Sequence, residues 1–273
     1  MEGTDILKNE SILSAQLDTE ILMSKAINKN REYIILNHDN TLNEENLKYF
    51  KKLVQERATK KPIAYILNKK FFWKNEFYVN KNTLIPRPDT EIIVEQIFKV
   101  TKNKNNLRIL DIGVGSGCIL LSILKEKKSF YGTGIDISKN SLDISIINAK
   151  KLFVDKRVKF FQSDVDKFDQ GKYDLIVSNP PYINHNKIKY LESDVSEFEP
   201  RLALDGGLDG LSVVRKVIKK SSELLKKNGK FILEIGFDQK NRVIKLLNNK
   251  GFYINSTTRD LANNDRCIVS TKI

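Results

Sequence analysis

The sequence predicts an α/β fold in which a mostly parallel sheet carries helices on both faces and follows a small helical region. From residue 107 onward, short apolar runs alternate with turns and amphipathic segments, which is the pattern of successive βαβ units. Polar or glycine residues stand where several of these runs end. The first 70 residues lack such runs and space their apolar side chains at about 3.6 residues, the period of a helix.

Length and composition narrow the class of protein. A chain of 273 residues holds one large domain, or a catalytic domain with a smaller companion. No apolar run approaches the ~18 residues of a membrane span, and the N-terminus lacks the basic and apolar regions of a signal peptide. The only cysteines are Cys118 and Cys267, and the only histidines are His38 and His185. We therefore expect a cytoplasmic protein with no membrane partner, no disulfide framework and no metal site.

The net charge of +13 leaves two interpretations open. Ten of the 47 basic residues are Arg and 37 are Lys, and the abundance of Lys, Asn and Ile indicates a bias of composition along the whole chain. Residues 1–90 hold 15 basic and 12 acidic residues, so the charge is not gathered in one arm. A diffuse basic surface that faces an RNA-rich partner is the alternative, although we expect no sequence-specific binding of nucleic acid.

Residues 1–70 are predicted to form a helical bundle used for docking or support. A first helix carries apolar residues near the helical period: Ile12, Leu13, Leu17, Ile21 and Leu22. A second helix is predicted to start at the capping box Thr41-Leu-Asn-Glu44 and to end at Lys60-Lys-Pro62. Its apolar side is formed by Leu47, Phe50, Leu53, Val54 and Ala58.

Residues 71–90 are predicted to join two domains. Aromatic runs at 71–73 and 77–79 flank residues 74–76, which predicts a β-hairpin. The prolines at 86 and 88 then fix an extended segment, and either Asp89 or Thr90 caps a helix over 91–100. A plain linker is the alternative, but the density of aromatic residues favours a packed segment.

The remaining chain divides into strands and helices in order. Strands are predicted at residues 108–111, 130–136, 158–164, 175–177, 229–236, 252–258 and 266–271. Helices are predicted at residues 118–124, 142–152 and 239–249.

Polar residues at the ends of four successive strands form the candidate ligand site. They are Asp111, followed by the loop Gly113, Val114, Gly115, Ser116 and Gly117, then Asp136, Asp164 and Asn179. In an open α/β sheet, the carboxyl ends of the strands border the ligand crevice. Glycines let the backbone approach a ligand, and Asp136 follows Gly117 at a spacing where an acidic side chain takes ribose hydroxyls.

The glycine loop discriminates between two nucleoside cofactors. A nicotinamide dinucleotide requires G-x-G-x-x-G, whereas Cys118 stands at the position of the third glycine. Asp111 also puts a negative charge near the loop, which disfavours a pyrophosphate and favours the ammonium and sulfonium groups of S-adenosylmethionine. Asp164 is suited to accept a hydrogen bond from the adenine amino group. The residues therefore favour S-adenosylmethionine.

The turn Asn179-Pro180-Pro181-Tyr182 ends the fourth strand and presents mainly hydrogen-bond acceptors. Neither proline has an N–H, so the chain leaves the sheet here. The Asn179 side-chain oxygen and main-chain carbonyls remain as acceptors, and Tyr182 adds a flat aromatic face. Such a site suits a planar group that carries an NH2, although a plain Pro-rich turn has the same sequence.

These motifs resemble those of a known enzyme family. Asp111-Ile-Gly-Val-Gly-Ser-Gly117 resembles the first motif of class I methyltransferases, and Asn179-Pro-Pro-Tyr182 that of their amino-methylating branch. Nearly all of the chain resembles the HemK/PrmC family, protein-(glutamine-N5) methyltransferases that modify peptide chain release factors. Further segments that carry the resemblance are Lys61-Pro-Ile-Ala-Tyr-Ile, Leu84-Ile-Pro-Arg-Pro-Asp-Thr-Glu91, Phe198-Glu-Pro200 and Arg259-Asp-Leu261.

The resemblance implies an organisation and an activity. It implies an N-terminal helical domain for substrate recognition at 1–70, a hairpin linker at 71–90, and a Rossmann-like, seven-stranded methyltransferase domain at 91–273. The implied reaction moves a methyl group from S-adenosylmethionine to the glutamine of the Gly-Gly-Gln motif of class I release factors, in support of translation termination. Val165 stands beside the adenine where some members carry a Trp, a departure that affects cofactor affinity.

The resemblance also implies roles for the turn. Asn179 and the Pro180 carbonyl accept the two N–H bonds of the substrate amide, and Asn179 borders the cofactor as well. Pro181 keeps the turn rigid, and Tyr182 packs on the amide plane.

A second wall of the substrate site is expected from Pro86 and Arg87. Arg87 contacts either the substrate backbone or Glu199 of this chain, and the sequence leaves both partners open. His185, three residues after the turn, is interpreted as an exposed loop histidine.

Two other functions remain open from the sequence. An adenine-N6 methyltransferase of DNA or RNA would use the same turn, but it must flip its base and needs a recognition surface, and no inserted recognition domain is evident. A non-catalytic ribosome-binding module that retains the fold is the other. The intact Asn179, Pro180 and Tyr182 argue against this loss of catalysis.

Overall fold

The computed structural model describes residues 2–37 and 39–273, so His38 lies outside the described part of the chain. The chain forms two compact units. The smaller unit contains the residues up to Asn68 together with Glu192–Phe198, and the larger unit contains Lys69–Leu191 and Glu199–Ile273. The hairpin segment thus belongs to the larger unit. The smaller unit includes a segment that the sequence places inside the catalytic domain.

The strands follow the predicted order, whereas several of the described helices, such as the one over Ser212–Leu224, were not predicted. The described helices are α1 (Glu2–Asn9), α2 (Ala15–Ile27), α3 (Arg31–Leu36), α4 (Glu44–Ala58), α5 (Ile63–Leu67), α6 (Glu91–Val100), α7 (Cys118–Glu126), α8 (Lys139–Lys151), α9 (Ser193–Ser196), α10 (Ser212–Leu224) and α11 (Lys240–Asn248). The strands are β1 (Lys69–Phe72), β2 (Asn75–Tyr78), β3 (Arg108–Ile112), β4 (Tyr131–Asp136), β5 (Val158–Gln162), β6 (Tyr173–Ser178), β7 (Leu225–Glu234), β8 (Phe252–Arg259) and β9 (Asp265–Lys272). No helix in the described ranges is both long and apolar enough to cross a membrane.

The smaller unit has its own hydrophobic core, to which α1, α2 and α4 contribute. Helix α2 buries Ala15, Asp18, Leu22 and Ala26, a spacing of three to four residues. Asp18 is buried because its carboxylate pairs with the buried guanidinium of Arg57 on α4 at 2.7 Å. Removing one partner of a buried ion pair leaves an uncompensated charge, so this pair holds α2 against α4.

The predicted apolar face of α2 is partly wrong. Ile12 and Leu22 are buried, but Leu13 and Leu17 are exposed. Leu13 lies in the turn before α2, and within α2 the buried position next to the exposed Leu17 is taken by a charged residue, Asp18. A search for apolar residues alone passes over that position.

The predicted helix caps are wrong in two places. Asn43 caps α4, and its side chain accepts a hydrogen bond from Asn46 N–H at 2.8 Å. The predicted capping box at Thr41 therefore starts too early. Before α6, Pro88–Thr90 already form a 3-10 turn, and the Thr90 side chain makes no cap hydrogen bond.

Strands β1 and β2 form the predicted hairpin, with a shorter turn than expected. Phe72 pairs with Asn75, so the turn consists of Trp73 and Lys74 and not of residues 74–76. The backbone N–H of Trp73 donates to the Glu91 carboxylate at 2.7 Å. This contact fixes the hairpin to the start of α6.

Seven strands of the larger unit, whose residues are all described, form one sheet in the order β5-β4-β3-β6-β7-β9-β8. Strands β3 to β7 are parallel to one another, β9 is antiparallel to both of its neighbours, β7 and β8, and β8 therefore runs in the same direction as β3 to β7. The mostly parallel α/β fold is therefore confirmed. From β3 the chain proceeds first to β4 and β5 on one side and then to β6 on the other. A crevice is expected outside the carboxyl ends of the strands at such a reversal.

Each face of the sheet has its own core. One core contains residues of α6, α7, α8 and the hairpin, and the other contains residues of α10 and α11. Ile109 and Leu110, neighbours on β3, are both fully buried, as expected for a parallel strand covered on both sides. The two cores give the strand ends a rigid support.

Candidate active site

A cavity of about 350 Å³ opens at the carboxyl ends of β3, β4 and β6. Its lining contains most of the residues predicted for the site: Gly113, Val114, Gly115, Ser116, Asp136, Asp164, Val165, Asn179, Pro180, Pro181, Pro86 and Arg87. Asp111, Gly117 and Tyr182 are not part of this lining. The structure therefore brings the glycine loop, the proline turn and the segment before α6 to one cavity.

The loop between β3 and α7 follows a path that needs glycine. Gly113, Gly115 and Gly117 have φ angles of +77°, +55° and +82°, in the left-handed region that glycine tolerates. A Cβ on Gly113 would meet no protein atom within 4 Å, so this part of the backbone is open to a ligand. A Cβ on Gly117 would lie 2.7 Å from the Leu121 side chain. Gly117 therefore permits the packing of α7.

Asp136 stands at the end of β4 and lines the cavity. Its two carboxylate oxygens accept hydrogen bonds from Gly115 N–H and Ser138 N–H, both at 2.9 Å. Burial raises the pKa of this carboxyl, and the two N–H groups oppose the rise. A carboxylate offers about four acceptor positions, so Asp136 retains capacity for further donors such as ribose hydroxyls.

Asp111 lies on β3, outside the cavity wall. It is 1% exposed, and neither carboxylate oxygen has a hydrogen-bond partner of normal geometry within the described chain. Burial raises the pKa of Asp111 to about 7. The negative charge of Asp136 raises this pKa further, and the backbone of Leu120 lowers it. A buried carboxyl in this state favours a cationic ligand nearby, because a positive charge stabilises its ionised form.

Asp164 and Val165 border another part of the cavity, after β5. The Asp164 carboxylate accepts a hydrogen bond from Asp166 N–H at 3.1 Å. Lys216 of α10 lines the cavity as well, and its Nζ lies 2.9 Å from Asp166 and 3.9 Å from Asp164. Sequence reasoning missed Lys216, because a lysine on an amphipathic helix looks like any exposed cation.

Asn179 stands where β6 gives way to the proline turn. Its side-chain Nδ2 donates to Oγ1 of Thr90 over 3.2 Å, so the side-chain oxygen is directed elsewhere. Thr90 is 2% exposed and lines the cavity beside Asn179. The sequence suggested Thr90 only as a helix cap, and its position next to Asn179 depends on packing between distant segments.

Tyr182 contacts β7 and β9. Its hydroxyl lies 3.3 Å from Oε1 of Glu234, to which it donates, and 3.5 Å from Nη1 of Arg266. Burial raises the pKa of Tyr182 far above its usual range, and the neighbouring Glu234 adds to the rise. The expected packing of the Tyr182 ring on a substrate amide therefore stays a prediction.

The opposite wall contains Pro86 and Arg87. The Arg87 guanidinium pairs with the buried carboxylate of Glu199. The second oxygen of Glu199 accepts a hydrogen bond from Ile85 N–H at 3.0 Å. Of the two partners that the sequence left open, Glu199 is the one observed, and it fixes this segment along the cavity.

His185 lies outside the cavity lining, in the 3-10 helix His185–Tyr190. Its side chain is exposed, and Nδ1 lies 2.6 Å from the Asp205 carboxylate. Across residues 2–37 and 39–273, no group of three His, Cys, Asp or Glu side chains is arranged to hold a metal ion.

Comparison with known proteins identifies both parts of the chain. The PrmC N-terminal domain model matches residues 1–67, and the Methyltransferase domain model matches residues 103–267. The release factor glutamine methyltransferase of Caulobacter vibrioides is 36% identical over 98% of this chain and 93% of its own length. The release factor glutamine methyltransferase of Clostridium botulinum is 39% identical over 100% of this chain and 97% of its own length. The bifunctional methyltransferase of Rickettsia conorii is 36% identical, and this chain spans 57% of its length.

Solved structures share the fold. A ribosomal protein L11 methylase from Lactobacillus delbrueckii subsp. bulgaricus has a TM-score of 0.53 at 18% identity, covering 75% of this chain and 90% of its own. A methyltransferase from Pyrococcus furiosus has a TM-score of 0.54 at 16% identity, covering 72% and 88%. At sequence identities of 16–18%, these structural matches show only that the fold is shared. The relatives at 36% and 39% identity, matched over nearly their full lengths, show that the chain belongs to the release factor glutamine methyltransferase family.

Proposed function

We propose that this protein transfers a methyl group from S-adenosylmethionine to the side-chain amide nitrogen of glutamine in the Gly-Gly-Gln motif of class I peptide chain release factors. The observation that carries the proposal is the orientation of Asn179. Its NH2 group donates to Thr90, and its oxygen is left as an acceptor beside the glycine-loop cavity. A primary amide presents two N–H donors to such an acceptor. The activity named for the family relatives supports the same reaction.

The residues of the cavity fit S-adenosylmethionine. Asp136 has acceptor capacity for the ribose hydroxyls, and Asp164 and Val165 provide an acceptor and an apolar wall for the adenine. The buried Asp111 suits a ligand that carries ammonium and sulfonium charges. The open backbone at Gly113 allows close approach. When bound, the cofactor supplies an electrophilic methyl group on its sulfonium.

The protein must overcome the weak nucleophilicity of a carboxamide nitrogen, whose lone pair is delocalised into the carbonyl. Asn179 Oδ1 and the Pro180 carbonyl each accept a hydrogen bond from one N–H of the substrate amide. The two hydrogen bonds hold the amide nitrogen towards the methyl donor. Productive geometry places reacting atoms roughly 3–3.5 Å apart. As the N–C bond forms and the S–C bond breaks, the same two acceptors stabilise the positive charge that develops on the nitrogen, a contribution that is usually the largest in such a site. The nitrogen then releases one of its two protons to water, and the products are the neutral N-methyl amide and a neutral thioether.

Other residues shape the substrate pocket. Pro181 limits the movement of the turn, and the Arg87–Glu199 pair holds Pro86 in the facing wall. The Arg87 guanidinium is already paired with Glu199. Its role is therefore to hold the wall in place. Tyr182 provides an aromatic surface next to the turn.

The N-terminal helical region, predicted from the sequence to span residues 1–70, recognises the protein substrate. The PrmC N-terminal domain match at residues 1–67 supports a dedicated module, and the unit has a core of its own. Specific protein pairs bury about 800 Å² on each partner, far more than one glutamine side chain supplies. The substrate takes part in translation, so the cytoplasm is the compartment in which this enzyme acts.

A labelling experiment tests the function. The protein is incubated with methyl-labelled S-adenosylmethionine and one of three acceptors: intact release factor, release factor with alanine in place of its Gly-Gly-Gln glutamine, or DNA and RNA rich in adenine. We expect label in the first acceptor only, and mass spectrometry should place it on the glutamine. Label in nucleic acid would replace the proposal with adenine methylation. Binding of cofactor without transfer to any acceptor would indicate a non-catalytic module.

A further inference from the structure

The side chain of Gln239 is a buried amide in contact with the proline turn. Gln239 directly precedes α11 and is 2% exposed. It stands at the N-cap position, where Ser, Thr, Asp and Asn are the usual residues, yet its side chain makes no cap hydrogen bond. Burying an amide costs free energy unless its polar groups find partners, so the partners of Gln239 indicate its role.

Both ends of this amide bind main-chain groups. Nε2 donates to the carbonyl of Tyr182 at 2.9 Å and to the carbonyl of Gly210 at 3.0 Å. Oε1 accepts a hydrogen bond from Gly236 N–H at 3.0 Å. An NH2 group has two protons, so both protons are used. Turning the amide over would place its oxygen against two carbonyls and its NH2 against an N–H, and the three partners therefore fix its orientation.

The three partners belong to three separate segments of the larger unit. Tyr182 ends the proline turn, Gly236 follows β7, and Gly210 lies in the loop before α10. This loop runs between Ala203 and Val213, which both line the cavity. One side chain thus joins the proline turn to a second segment of the cavity wall.

The backbone of Gly210 comes so close to this contact that no side chain fits there. Its φ angle is +74°, and a Cβ would lie 2.6 Å from the Tyr182 carbonyl oxygen and 2.8 Å from Gln239 Nε2. The next residue after the turn, Ile183, also binds this loop, since its carbonyl accepts a hydrogen bond from Gly206 N–H at 2.8 Å. The chain that leaves the turn is therefore held against the loop.

We propose that Gln239 is a positioning residue for methyl transfer, which binds the main chain of Tyr182 and thereby fixes the proline turn in the conformation that presents its acceptors to the substrate amide. The proposal rests on the proposed function, which assigns those acceptors to Asn179 and Pro180. Gln239 lies outside the cavity lining and acts through the turn. Its effect therefore belongs in kcat and not in the affinity for S-adenosylmethionine.

Kinetics of two Gln239 variants test the proposal. Gln239→Met removes all three hydrogen bonds at similar length, and Gln239→Glu keeps the shape and the acceptor for Gly236 but replaces the NH2 group. The matched control is Gln170→Met, at an exposed position before the start of β6. With release factor as acceptor, we expect each Gln239 variant to lower kcat by roughly 10²-fold, the scale of a small misplacement. The Kd for S-adenosylmethionine should stay within about twofold, and Gln170→Met should resemble the wild type.

A pair of glycines tests the same contact from its other side. Gly210 and Gly251 share a φ angle of +74°, so alanine is strained at both positions. A Cβ on Gly251 would meet no protein atom within 4 Å, whereas a Cβ on Gly210 would enter the contact between Gln239 and Tyr182. Gly210→Ala should therefore lower kcat by a factor similar to that of Gln239→Met, and Gly251→Ala should resemble the wild type.

Three kinetic outcomes would overturn the proposal. The first is a kcat of Gln239→Met close to that of the wild type. The second is a loss of cofactor affinity as large as the loss of kcat, which would indicate general damage to the larger unit. The third is equal slowing by Gly210→Ala and Gly251→Ala, because backbone strain alone would then explain the effect.

Hydrogen exchange followed by mass spectrometry separates this inference from the proposed function, because it requires no substrate. In Gln239→Met and Gly210→Ala, we expect faster exchange in the peptide that spans residues 179–185 and unchanged exchange in the peptide of the glycine loop, residues 111–117. Unchanged exchange at 179–185, or equally faster exchange in both peptides, overturns the positioning role even if release factor is methylated. Faster exchange confined to 179–185, in a protein whose wild type methylates no release factor, would defeat the proposed function alone.

Discussion

The carboxylate of Asp136 accepts the backbone N–H of Gly115 over 2.9 Å, which joins the end of β4 to the glycine loop that follows β3. One residue thus holds the loop and borders the cavity at the same time. If the cofactor binds in this cavity as proposed, its binding is linked to the conformation of the loop.

Asp136→Ala should weaken cofactor binding more than it slows the bound complex. Hydrogen bonds to a charged group contribute about 1.5–3 kcal/mol, or roughly 10–100-fold in Kd. The ribose does not change during transfer, so its binding enters KM and not kcat. Calorimetric titration with S-adenosylmethionine gives the Kd. Asp143→Ala on the exposed side of α8 is the control, and equal affinity in the two variants would remove Asp136 from the cofactor site.

Asn179→Ala should nearly abolish turnover while the protein stays folded. Losing one preorganised group that stabilises developing charge costs about 10²–10³ in kcat. The exposed Asn241 of α11 provides a matched control, since Asn241→Ala changes the same chemistry far from the cavity. Single-turnover kinetics with release factor measure the effect. A kcat close to that of the wild type would exclude Asn179 from the mechanism.

Asp111→Asn should flatten part of the pH dependence of stability in the absence of cofactor. The folded-state pKa of Asp111 is raised from 3.8 to about 7, so between about pH 4 and 7 the folded protein holds a proton that the unfolded chain has released. Stability from this group therefore falls as pH rises through that window and is constant above it. The upper limit is about 4 kcal/mol, at about 1.4 kcal/mol for each unit of pKa difference.

Urea unfolding at pH 5 and pH 8 measures this difference. Trp73 is the single tryptophan of the chain and lies in the larger unit, so its fluorescence reports the unit that contains Asp111. The free energy of unfolding of Asp111→Asn, minus that of the wild type, should increase from pH 5 to pH 8. Parallel pH profiles for the two proteins would show that Asp111 does not titrate in this range.

Deleting residues 1–68 should separate substrate selection from chemistry. The larger unit contains the whole cavity and both sheet cores, so the shortened protein should bind S-adenosylmethionine with unchanged Kd. Methylation of intact release factor should fall mainly in kcat/KM, and methylation of a short Gly-Gly-Gln peptide should change much less. Equal losses on both substrates, in a protein that binds cofactor normally, would mean that residues 1–68 shape the active site.

Much of the site follows from the sequence because strand order determines which residues meet. Asp136 and Asn179 end strands of one parallel sheet, and such ends converge whatever the details of packing. The glycine loop was predictable for the same reason. Its third glycine, Gly117, turned out to permit the packing of α7 against the loop.

The supporting residues were not predictable, because their roles depend on contacts between distant segments. Glu234 lies in a run that looks like an ordinary core strand, and only the pairing of β7 with β6 brings it to the proline turn. Thr90 precedes a helix and was one of two residues expected to cap it, but it belongs to the 3-10 turn before α6 and its hydroxyl accepts a hydrogen bond from Asn179 instead. Asp18 was overlooked because a buried carboxylate requires a partner, Arg57, from another helix.

The discontinuous smaller unit has a consequence for folding during synthesis. Domains generally fold in order as the chain emerges from the ribosome, the N-terminal one first. Here the residues up to Asn68 emerge early, but Glu192–Phe198, which belong to the same unit, emerge only after β1 to β6 have been made. The nascent helical bundle therefore lacks its last segment while most of the parallel strands are being synthesised, and the smaller unit cannot be completed before the larger one has begun to form.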